Sequence, residues 1–256
     1  MSGTRRAPSA GVVRRLRGAG CVFAEEEARL LSEAASGPAL EVLVRRRVAG
    51  EPLEHLLGYV EFCGRRFVVE PGVFVPRQRS ALLVEEAAGL DGTVVLDLCC
   101  GCGALGLAVR DRLGPRVELL AADLDPRAVD CARRNGVESA SVGDLFDPVP
   151  SRLRGRVDLV LVNTPYVPTA AIADMPPESR DFEPRRALDG GPDGLDVQRR
   201  VLAVAPDWLS PTGRLLTETS TVQAAALARL ARAAGLAPRI ARNPELGATV
   251  LVAGRA

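Results

Sequence analysis

From residue 80 onward, short apolar runs alternate with longer segments in which apolar residues recur at helical spacing. The apolar runs predict strands over residues 94–98, 117–122, 157–162, 214–218 and 249–252, and the periodic segments predict helices over residues 104–113, 126–135, 195–205 and 222–234. Strands that alternate with helices are typical of a doubly wound, mostly parallel α/β sheet. Such a sheet binds ligands at the carboxyl ends of its strands, near the point where the strand order reverses.

The amino-terminal part of the chain has a different pattern. Residues 11–58 have apolar positions at helical spacing, which predicts a group of helices. Residues 59–69 contain two short apolar stretches on either side of Gly64, which predicts a β-hairpin that turns there. We therefore expect a small helical domain with a connecting hairpin over residues 1–75 and a larger α/β domain over residues 76–256.

The composition narrows the classes of function. The chain has 256 residues, and its near-neutral net charge of +1 weighs against nucleic acid as a partner. All 33 basic residues are Arg, so no Lys is available for catalysis. With one His and six scattered Cys, we expect neither a metal site nor a disulfide framework. Residues 1–20 lack the apolar core of a secretion signal, and no apolar run is long enough to cross a membrane, so we expect a cytoplasmic protein.

A glycine-rich turn follows the first predicted strand of the larger domain. Gly101, Gly103 and Gly106 lie where a nucleotide-binding turn opens a helix, although a dinucleotide-binding dehydrogenase shows the same spacing. Asp97 lies four residues before Gly101, where it can reach the amino-acid portion of S-adenosylmethionine and would repel a pyrophosphate. Asp123 ends the second strand, where its carboxylate can accept hydrogen bonds from ribose hydroxyls. The combination predicts an S-adenosylmethionine site.

A third carboxylate extends this site. Asp144 follows a short strand and suits the adenine amino group, with Leu145 or Phe146 against the face of the ring. The residues expected to bind the cofactor all lie at or just beyond strand ends, and they are Asp97, Cys99, Gly101, Gly103, Asp123, Leu124, Asp144, Leu145 and Asn163.

The second informative motif, Asn163-Thr164-Pro165-Tyr166, follows the strand at 157–162. A lone Asn-x-Pro would be only a turn. At this place in a methyltransferase sheet, Asn163 and the following backbone carbonyl can accept both hydrogens of an NH2 group and aim its lone pair, while Tyr166 offers a flat face for a planar amide or base. Methyl transfer from a sulfonium releases a neutral thioether, so catalysis needs positioning rather than a general acid. We expect an N-methyltransferase whose catalytic residues are Asn163, Thr164, Pro165 and Tyr166.

Further motifs occur in order along the chain, at 50–58, 61–64, 75–77, 96–103, 182–184 (Phe-Glu-Pro) and 187–195 (Ala-Leu-Asp-Gly-Gly-Pro-Asp-Gly-Leu). On these motifs, together with Asn-x-Pro-Tyr, the chain resembles the bacterial protein N5-glutamine methyltransferases that modify the Gly-Gly-Gln loop of peptide chain release factors. The resemblance implies a class I, Rossmann-like fold, S-adenosylmethionine as the cofactor and a release factor as the protein partner. It also implies that the N-terminal helices and hairpin grip this partner, and that Asn163 and Tyr166, with Pro76 and Arg77, bind the substrate.

Three places differ from the family's pattern. Thr164 stands where Asn-Pro-Pro-Tyr has its first Pro; since this residue is expected to act through its backbone carbonyl, the change need not abolish catalysis, but it frees the φ angle. The family's Pro-Arg-Pro-x-Thr-Glu reads Pro76-Arg77-Gln78-Arg79-Ser80, so the Thr-Glu pair is missing and a positive charge has entered. Thr219-Ser220-Thr221 replaces a stretch that contains an aromatic residue and a Gly. The differences indicate a divergent paralogue.

Other acceptors and other classes of protein stay open at this point. A ribosomal protein glutamine, a base amine or a small-molecule amine would use the same chemistry, although the near-neutral charge weighs against nucleic acid. A binding module that keeps the cofactor but has lost catalysis would account for Thr164 and the altered segment 76–80. A nicotinamide dehydrogenase built on Gly101–Gly106 would leave Asn163-Thr164-Pro165-Tyr166 without a role.

Overall fold

The amino-terminal part of the structure consists of helices followed by a hairpin. The computed structural model describes residues 9–255; residues 1–8, at the start of the predicted first domain, and residue 256 lie outside the described residues. The helices are α1 (Ala10–Gly18), α2 (Ala24–Ala34), α3 (Gly37–Val48) and α4 (Leu53–Leu57). Leu16, Leu31 and Val44 are fully buried and form a small core between these helices.

The hairpin joins β1 (Tyr59–Phe62) to β2 (Arg65–Val68), which pair antiparallel. Its turn lies at Cys63 and Gly64, which both have positive φ angles, a conformation that glycine adopts without strain. Phe62 and Phe67 are buried in the core of the larger sheet rather than among the N-terminal helices. The domain boundary expected at residue 75 stays a prediction.

A seven-stranded sheet forms the centre of the larger part. Its strands are β3 (Val94–Leu98), β4 (Glu118–Asp123), β5 (Ser139–Val142), β6 (Val157–Val162), β7 (Leu209–Glu218), β8 (Leu236–Asn243) and β9 (Ala248–Arg255). They lie in the order β5-β4-β3-β6-β7-β9-β8, and all pairs are parallel except those that β9 makes. The strand order reverses between β3 and β6, so the carboxyl ends of these strands border the ligand-binding crevice. The predicted α/β fold is confirmed.

Helices cover both faces of this sheet. They are α5 (Ala81–Ala88), α6 (Ala104–Leu113), α7 (Pro126–Arg134), α9 (Asp196–Trp208) and α10 (Ala224–Ala233). A further short helix, α8 (Pro177–Phe182), lies in the long segment between β6 and α9. Successive residues of β3 point to opposite faces: Val95 belongs to the core formed with α5, α6 and α7, whereas Leu96 and Leu98 belong to the core formed with α9 and α10. Because β3 is buried on both faces, it appears in the sequence as a continuous apolar run.

Three elements of the larger part, α5, α8 and β8, were not predicted. In α5 the residues Leu82, Leu83 and Val84 are consecutive and all buried, so no helical period separates an apolar face from a polar one. β8 lies at the edge of the sheet and contains Pro238, and little of it is buried, so its strand pattern is weak. In addition, α9 continues beyond its predicted end at residue 205 to Trp208, whose ring stacks on Phe146.

A long segment between β6 and α9 covers the crevice. We call residues 167–194 the covering segment. Its Glu178 accepts a hydrogen bond from Arg47 of α3 (3.0 Å), and its Glu183 accepts one from Arg77 (2.5 Å) and one from the Val75 amide (3.1 Å). The segment is therefore bonded both to the N-terminal helices and to the loop that follows the hairpin. Among residues 9–255, no helix has the length and apolar character needed to cross a membrane.

Candidate active site

The carboxyl ends of β3, β4 and β6 and the covering segment surround one cavity of about 320 Å³. This volume is within the range of small-molecule sites. The predicted site residues that line this cavity are Arg77, Cys99, Gly101, Asp123, Leu124, Asp144, Asn163, Thr164, Pro165 and Tyr166. Asp97 and Pro76 line a smaller neighbouring cavity that shares Cys99, Gly101 and Asn163 with the first. The structure therefore brings the predicted donor and acceptor residues together.

Gly103 and Leu145 are predicted site residues that line neither of these cavities. Gly103 has a φ of 76°, and a Cβ atom there would lie 2.8 Å from a methyl carbon of Val137, so the glycine allows the turn to pack against the end of α7. Leu145 is buried in the core beneath the sheet. Of the two predicted leucines, only Leu124, which is 57% exposed, lines the cavity.

Asp97 is buried at the end of β3 and has one unsatisfied oxygen. Its side chain lies beneath the glycine turn, and Oδ2 accepts a hydrogen bond from the Gly106 amide (2.9 Å). Oδ1 is buried without a partner among the described residues. Burial raises the pKa of Asp97 to about 7. An unpartnered carboxylate oxygen in a low-dielectric site fits a cationic ligand group, such as an ammonium.

Asp123 is held by the backbone on both of its oxygens. Oδ2 accepts from the Gly101 amide (2.9 Å), and Oδ1 accepts from the Asp125 amide (2.8 Å). Each carboxylate oxygen has a second lone pair, so the oriented group can still accept hydrogen bonds from a diol. Burial raises the pKa of Asp123, as it does that of Asp97.

Two ion pairs join the side of the cavity expected to bind the methyl donor to α9 and to the covering segment. Asp144 accepts a hydrogen bond from Arg200 of α9 (2.6 Å), so one of its oxygens is already engaged. Asp125 caps α7 through the Arg127 amide and accepts from Arg186 of the covering segment (2.5 Å). Sequence reasoning identified Asp144 but missed both arginines, because they come from parts of the chain far from the strand ends.

The residues expected to bind the methyl acceptor, Asn163 to Tyr166, directly follow β6 and line the cavity. No hydrogen bond within residues 9–255 engages the Asn163 carboxamide, which leaves its oxygen available to a ligand. Thr164 is 2% exposed, and its hydroxyl is buried without a partner among the described residues. The hydroxyl that replaces the family's proline ring therefore makes no contact that could explain its presence.

A hydrogen-bond network around the buried Glu218 carboxylate fixes the side chain of Tyr166. Its hydroxyl donates to Glu218 at the end of β7 (2.7 Å) and accepts from Arg79 (2.8 Å). Arg79 also donates to Glu218 (2.9 Å), and the Ser80 hydroxyl donates to the other Glu218 oxygen (2.5 Å). Burial, with the Glu218 carboxylate, raises the pKa of Tyr166, so the phenol stays protonated. The ring is thereby held in one orientation.

The network gives a role to residues 76–80, one of the three places that differ from the family pattern. Ser80 provides a hydroxyl, and the charge of Arg79 is neutralised by Glu218. Arg77 is paired with Glu183 and Ser179, and its guanidinium lies 5.1 Å from the centre of the Phe74 ring. Sequence reasoning missed Phe74, which lines both cavities, and it missed Glu218, although the position of Glu218 at the end of a strand was a usable signal.

The strand order, the glycine turn and the residues at the strand ends define a methyltransferase. A family model described as methyltransferase small domain matches residues 64–175. The structure is similar to that of a Thermus thermophilus 16S rRNA methyltransferase solved with AdoMet and guanosine, with a TM-score of 0.53, 20% identity, and coverage of 77% of this chain and 44% of that chain. Because the sequence identity is only 20%, this similarity shows that the two proteins share a fold and nothing more.

Curated relatives narrow the class to a family. A release factor glutamine methyltransferase of Moorella thermoacetica is 38% identical over 219 residues, which cover 82% of this chain and 75% of the relative. One of Geobacter sulfurreducens is 40% identical over 189 residues, which cover 71% of this chain and 65% of the relative, just under two thirds of its length. The chain belongs to the release factor glutamine methyltransferase family.

Proposed function

We propose that the protein transfers a methyl group from S-adenosylmethionine to the side-chain amide nitrogen of a glutamine, in the Gly-Gly-Gln loop of a peptide chain release factor. One observation carries the chemistry: the Asn163 carboxamide, which has no partner within residues 9–255, opens into the same cavity as Asp123 and the glycine turn. The names of the relatives support a release factor as the acceptor. A cytoplasmic location is part of the proposal.

The donor side fits S-adenosylmethionine group by group. The buried Oδ1 of Asp97 would receive the α-ammonium group, because it is the one buried carboxylate oxygen that lacks a partner among the described residues. Asp123, oriented by two backbone amides, would accept from the ribose hydroxyls. Leu124 would cover one face of the adenine, and Asp144 would accept from its amino group with the oxygen that Arg200 leaves open. The bound cofactor would supply a methyl group activated on a sulfonium.

The acceptor side would hold a planar amide. The Asn163 side-chain oxygen and the Thr164 backbone oxygen would accept the two amide hydrogens, while the Tyr166 ring packs against the amide plane. Two acceptors on the amide hydrogens would raise the electron density on the nitrogen and direct it toward the methyl carbon, and this is the contribution that the chain's own residues make. As the N–C bond forms and the S–C bond breaks, the neutral thioether would leave and one of the two amide protons would pass to water. Thr164 can serve this purpose as proline does, because the accepting atom belongs to the backbone.

A direct assay tests the proposal. The purified protein is incubated with S-adenosylmethionine and a release factor, and the Gly-Gly-Gln peptide is analysed by mass spectrometry. We expect a mass gain of one methyl group on the glutamine, and its loss in an Asn163→Ala variant that still binds the cofactor. The proposal is wrong if that glutamine gains no methyl group while a Moorella thermoacetica relative modifies it under the same conditions. Parallel incubations with ribosomal proteins, DNA and small amines test the other acceptors.

A further inference from the structure

The glycine-rich motif at 188–194 lies directly behind the acceptor residues. The Val167 amide donates to the Leu188 carbonyl (3.0 Å), and the Gly190 amide donates to the Val167 carbonyl (2.9 Å). Val167 and Asp189 form an isolated parallel bridge. The motif therefore runs beside the backbone that follows Pro165 and Tyr166, although none of its glycines lines the cavity.

Two glycines of this motif let the chain approach the acceptor backbone closely. A Cβ atom on Gly190 would lie 2.8 Å from the Pro165 carbonyl oxygen. Gly194 has a φ of 77°, and a Cβ atom there would overlap the Tyr166 carbonyl oxygen and the Gln223 side-chain nitrogen. At both positions one of the atoms that the Cβ would overlap is a backbone oxygen of the acceptor motif, which cannot move aside as a flexible side chain can.

Gln223, in the loop that joins β7 to α10, contacts both of these backbone segments. It directly precedes α10, is 8% exposed, and its Nε2 donates to the Tyr166 carbonyl (2.8 Å) and to the Asp193 carbonyl (2.9 Å). Its Oε1 accepts from the Ser220 hydroxyl (2.6 Å). Because Ser220 donates to the oxygen, the amide can face the two carbonyls only with its NH2 group. One side chain thus ties the acceptor motif to the glycine motif.

We propose that Gln223 is a positioning residue for methyl transfer, which together with Gly190 and Gly194 clamps the main chain of Pro165 and Tyr166. The proposal rests on the proposed function. The clamp holds the backbone that carries the Thr164 carbonyl, one of the two groups that would accept the substrate amide hydrogens. Thr164 lacks the fixed φ angle of a proline, so the conformation of this backbone has to be maintained by contacts from outside. A displacement of about 1 Å at such a group costs about 100-fold in rate.

The test is the substitution Gln223→Glu, which keeps the size of the side chain and replaces the NH2 group by oxygen. A carboxylate facing two carbonyl oxygens repels both, so we expect kcat for release factor methylation to fall about 100-fold while the KM for S-adenosylmethionine changes less than about threefold. The introduced carboxyl group would have a raised pKa because it is buried against two carbonyls. Protonation makes it a hydrogen-bond donor again, so the ratio of variant to wild-type kcat should rise as the pH is lowered. If Gln223 only stabilised the fold, the kcat ratio would not rise at low pH while the fraction of folded variant stayed the same.

A second readout does not depend on activity. Hydrogen exchange of the peptide spanning residues 163–168, followed by mass spectrometry, should become faster in the Gln223→Glu variant, while exchange in β3 stays unchanged. Ser220→Ala, which removes the donor that orients the Gln223 amide, should show a weaker form of both effects. Its matched control is Ser210→Ala, which removes a hydroxyl bonded to Asp158 at the opposite end of β7 and should show neither.

The outcomes separate this proposal from the function on which it rests. If the wild-type protein methylates the release factor and the Gln223→Glu variant matches it in kcat at every pH, the positioning role is overturned. If the wild-type protein transfers no methyl group, the proposed function fails, and the exchange experiment still decides the clamp: unchanged exchange over residues 163–168 overturns it. Accelerated exchange with a lowered, pH-dependent kcat supports both.

Discussion

The Tyr166 hydroxyl donates a 2.7 Å hydrogen bond to the buried carboxylate of Glu218, so the ends of the neighbouring strands β6 and β7 are joined at the acceptor side of the cavity. The same carboxylate accepts from Arg79 and Ser80. The acceptor ring is therefore oriented by a carboxylate that two further donors hold in place, and such networks hold their members in one geometry.

Removing the Tyr166 hydroxyl should slow methyl transfer while leaving cofactor binding intact. In a Tyr166→Phe variant the ring remains, but its bonds to Glu218 and Arg79 are lost, and a bond to a charged partner is worth about 1.5–3 kcal/mol, so we expect kcat to fall about tenfold or more. Steady-state kinetics and calorimetric titration with S-adenosylmethionine measure the two effects. Tyr59→Phe is the matched control, since the other tyrosine of the chain lies in the hairpin. Equal kcat values for the two variants would show that the network does not position the ring.

Binding of S-adenosylmethionine should weaken as the pH falls below about 7. Burial raises the pKa of Asp97 to about 7 in the free protein, and an ammonium beside Oδ1 would lower it again by favouring the charged form. Since the bound form has the lower pKa, full affinity is present above about pH 7 and is lost by about tenfold per pH unit below it. Calorimetry across this range measures the slope. An Asp97→Asn variant should bind weakly and with less dependence on pH, and a flat profile in the wild-type protein would contradict the placement of the ammonium at Asp97.

Gly194→Ala should reduce activity far more than Gly235→Ala. Both glycines have a φ of 77°, so alanine introduces the same backbone strain, about 1–2 kcal/mol, at either position. A Cβ atom at Gly235 meets nothing within 4 Å, whereas one at Gly194 would overlap the Tyr166 carbonyl oxygen. We expect the kcat of Gly194→Ala to fall at least about tenfold beyond that of Gly235→Ala. Thermal unfolding of both variants shows how much is lost to stability, and similar kcat values would indicate that the glycine motif does not shape the acceptor backbone.

Thr164→Val should stabilise the protein, and Thr217→Val should destabilise it. Both threonines are 2% exposed, but the Thr164 hydroxyl has no partner among the described residues, while that of Thr217 bonds Gln198 and the Glu218 carbonyl. Replacing an unsatisfied hydroxyl by a methyl group should raise the free energy of unfolding by about 1 kcal/mol, and breaking satisfied bonds should lower it by about 1 kcal/mol. Urea denaturation measures both. A loss of stability in Thr164→Val would mean that its hydroxyl has a partner, such as a bound water molecule.

The sequence was sufficient to predict those elements and site residues whose pattern lies within a short stretch of the chain. Each buried strand is a short apolar run, and a polar residue such as Asp97, Asp123 or Asn163 lies at its last residue or directly beside it. The glycine turn is equally local. Once the alternation of strands and helices indicates a parallel sheet, these residues must meet at one edge, and the structure does place them around neighbouring cavities. The edge strand β8 and the short helix α5, which has three consecutive buried residues, carry no such local signal.

By itself the sequence determined the order of most strands and helices around the site, the chemical groups at the strand ends and membership of a methyltransferase family. Only the tertiary structure decided that Leu124 and not Leu145 faces the cavity, that Glu218 orients Tyr166, and that Gln223 ties the acceptor backbone to the glycine motif. The two hydrogen bonds, of Tyr166 with Glu218 and of Gln223 with Tyr166, join pairs of residues that are 52 and 57 positions apart along the chain. They depend on strand register and on how closely two backbones approach, and neither quantity is encoded in the periodicity of a single segment.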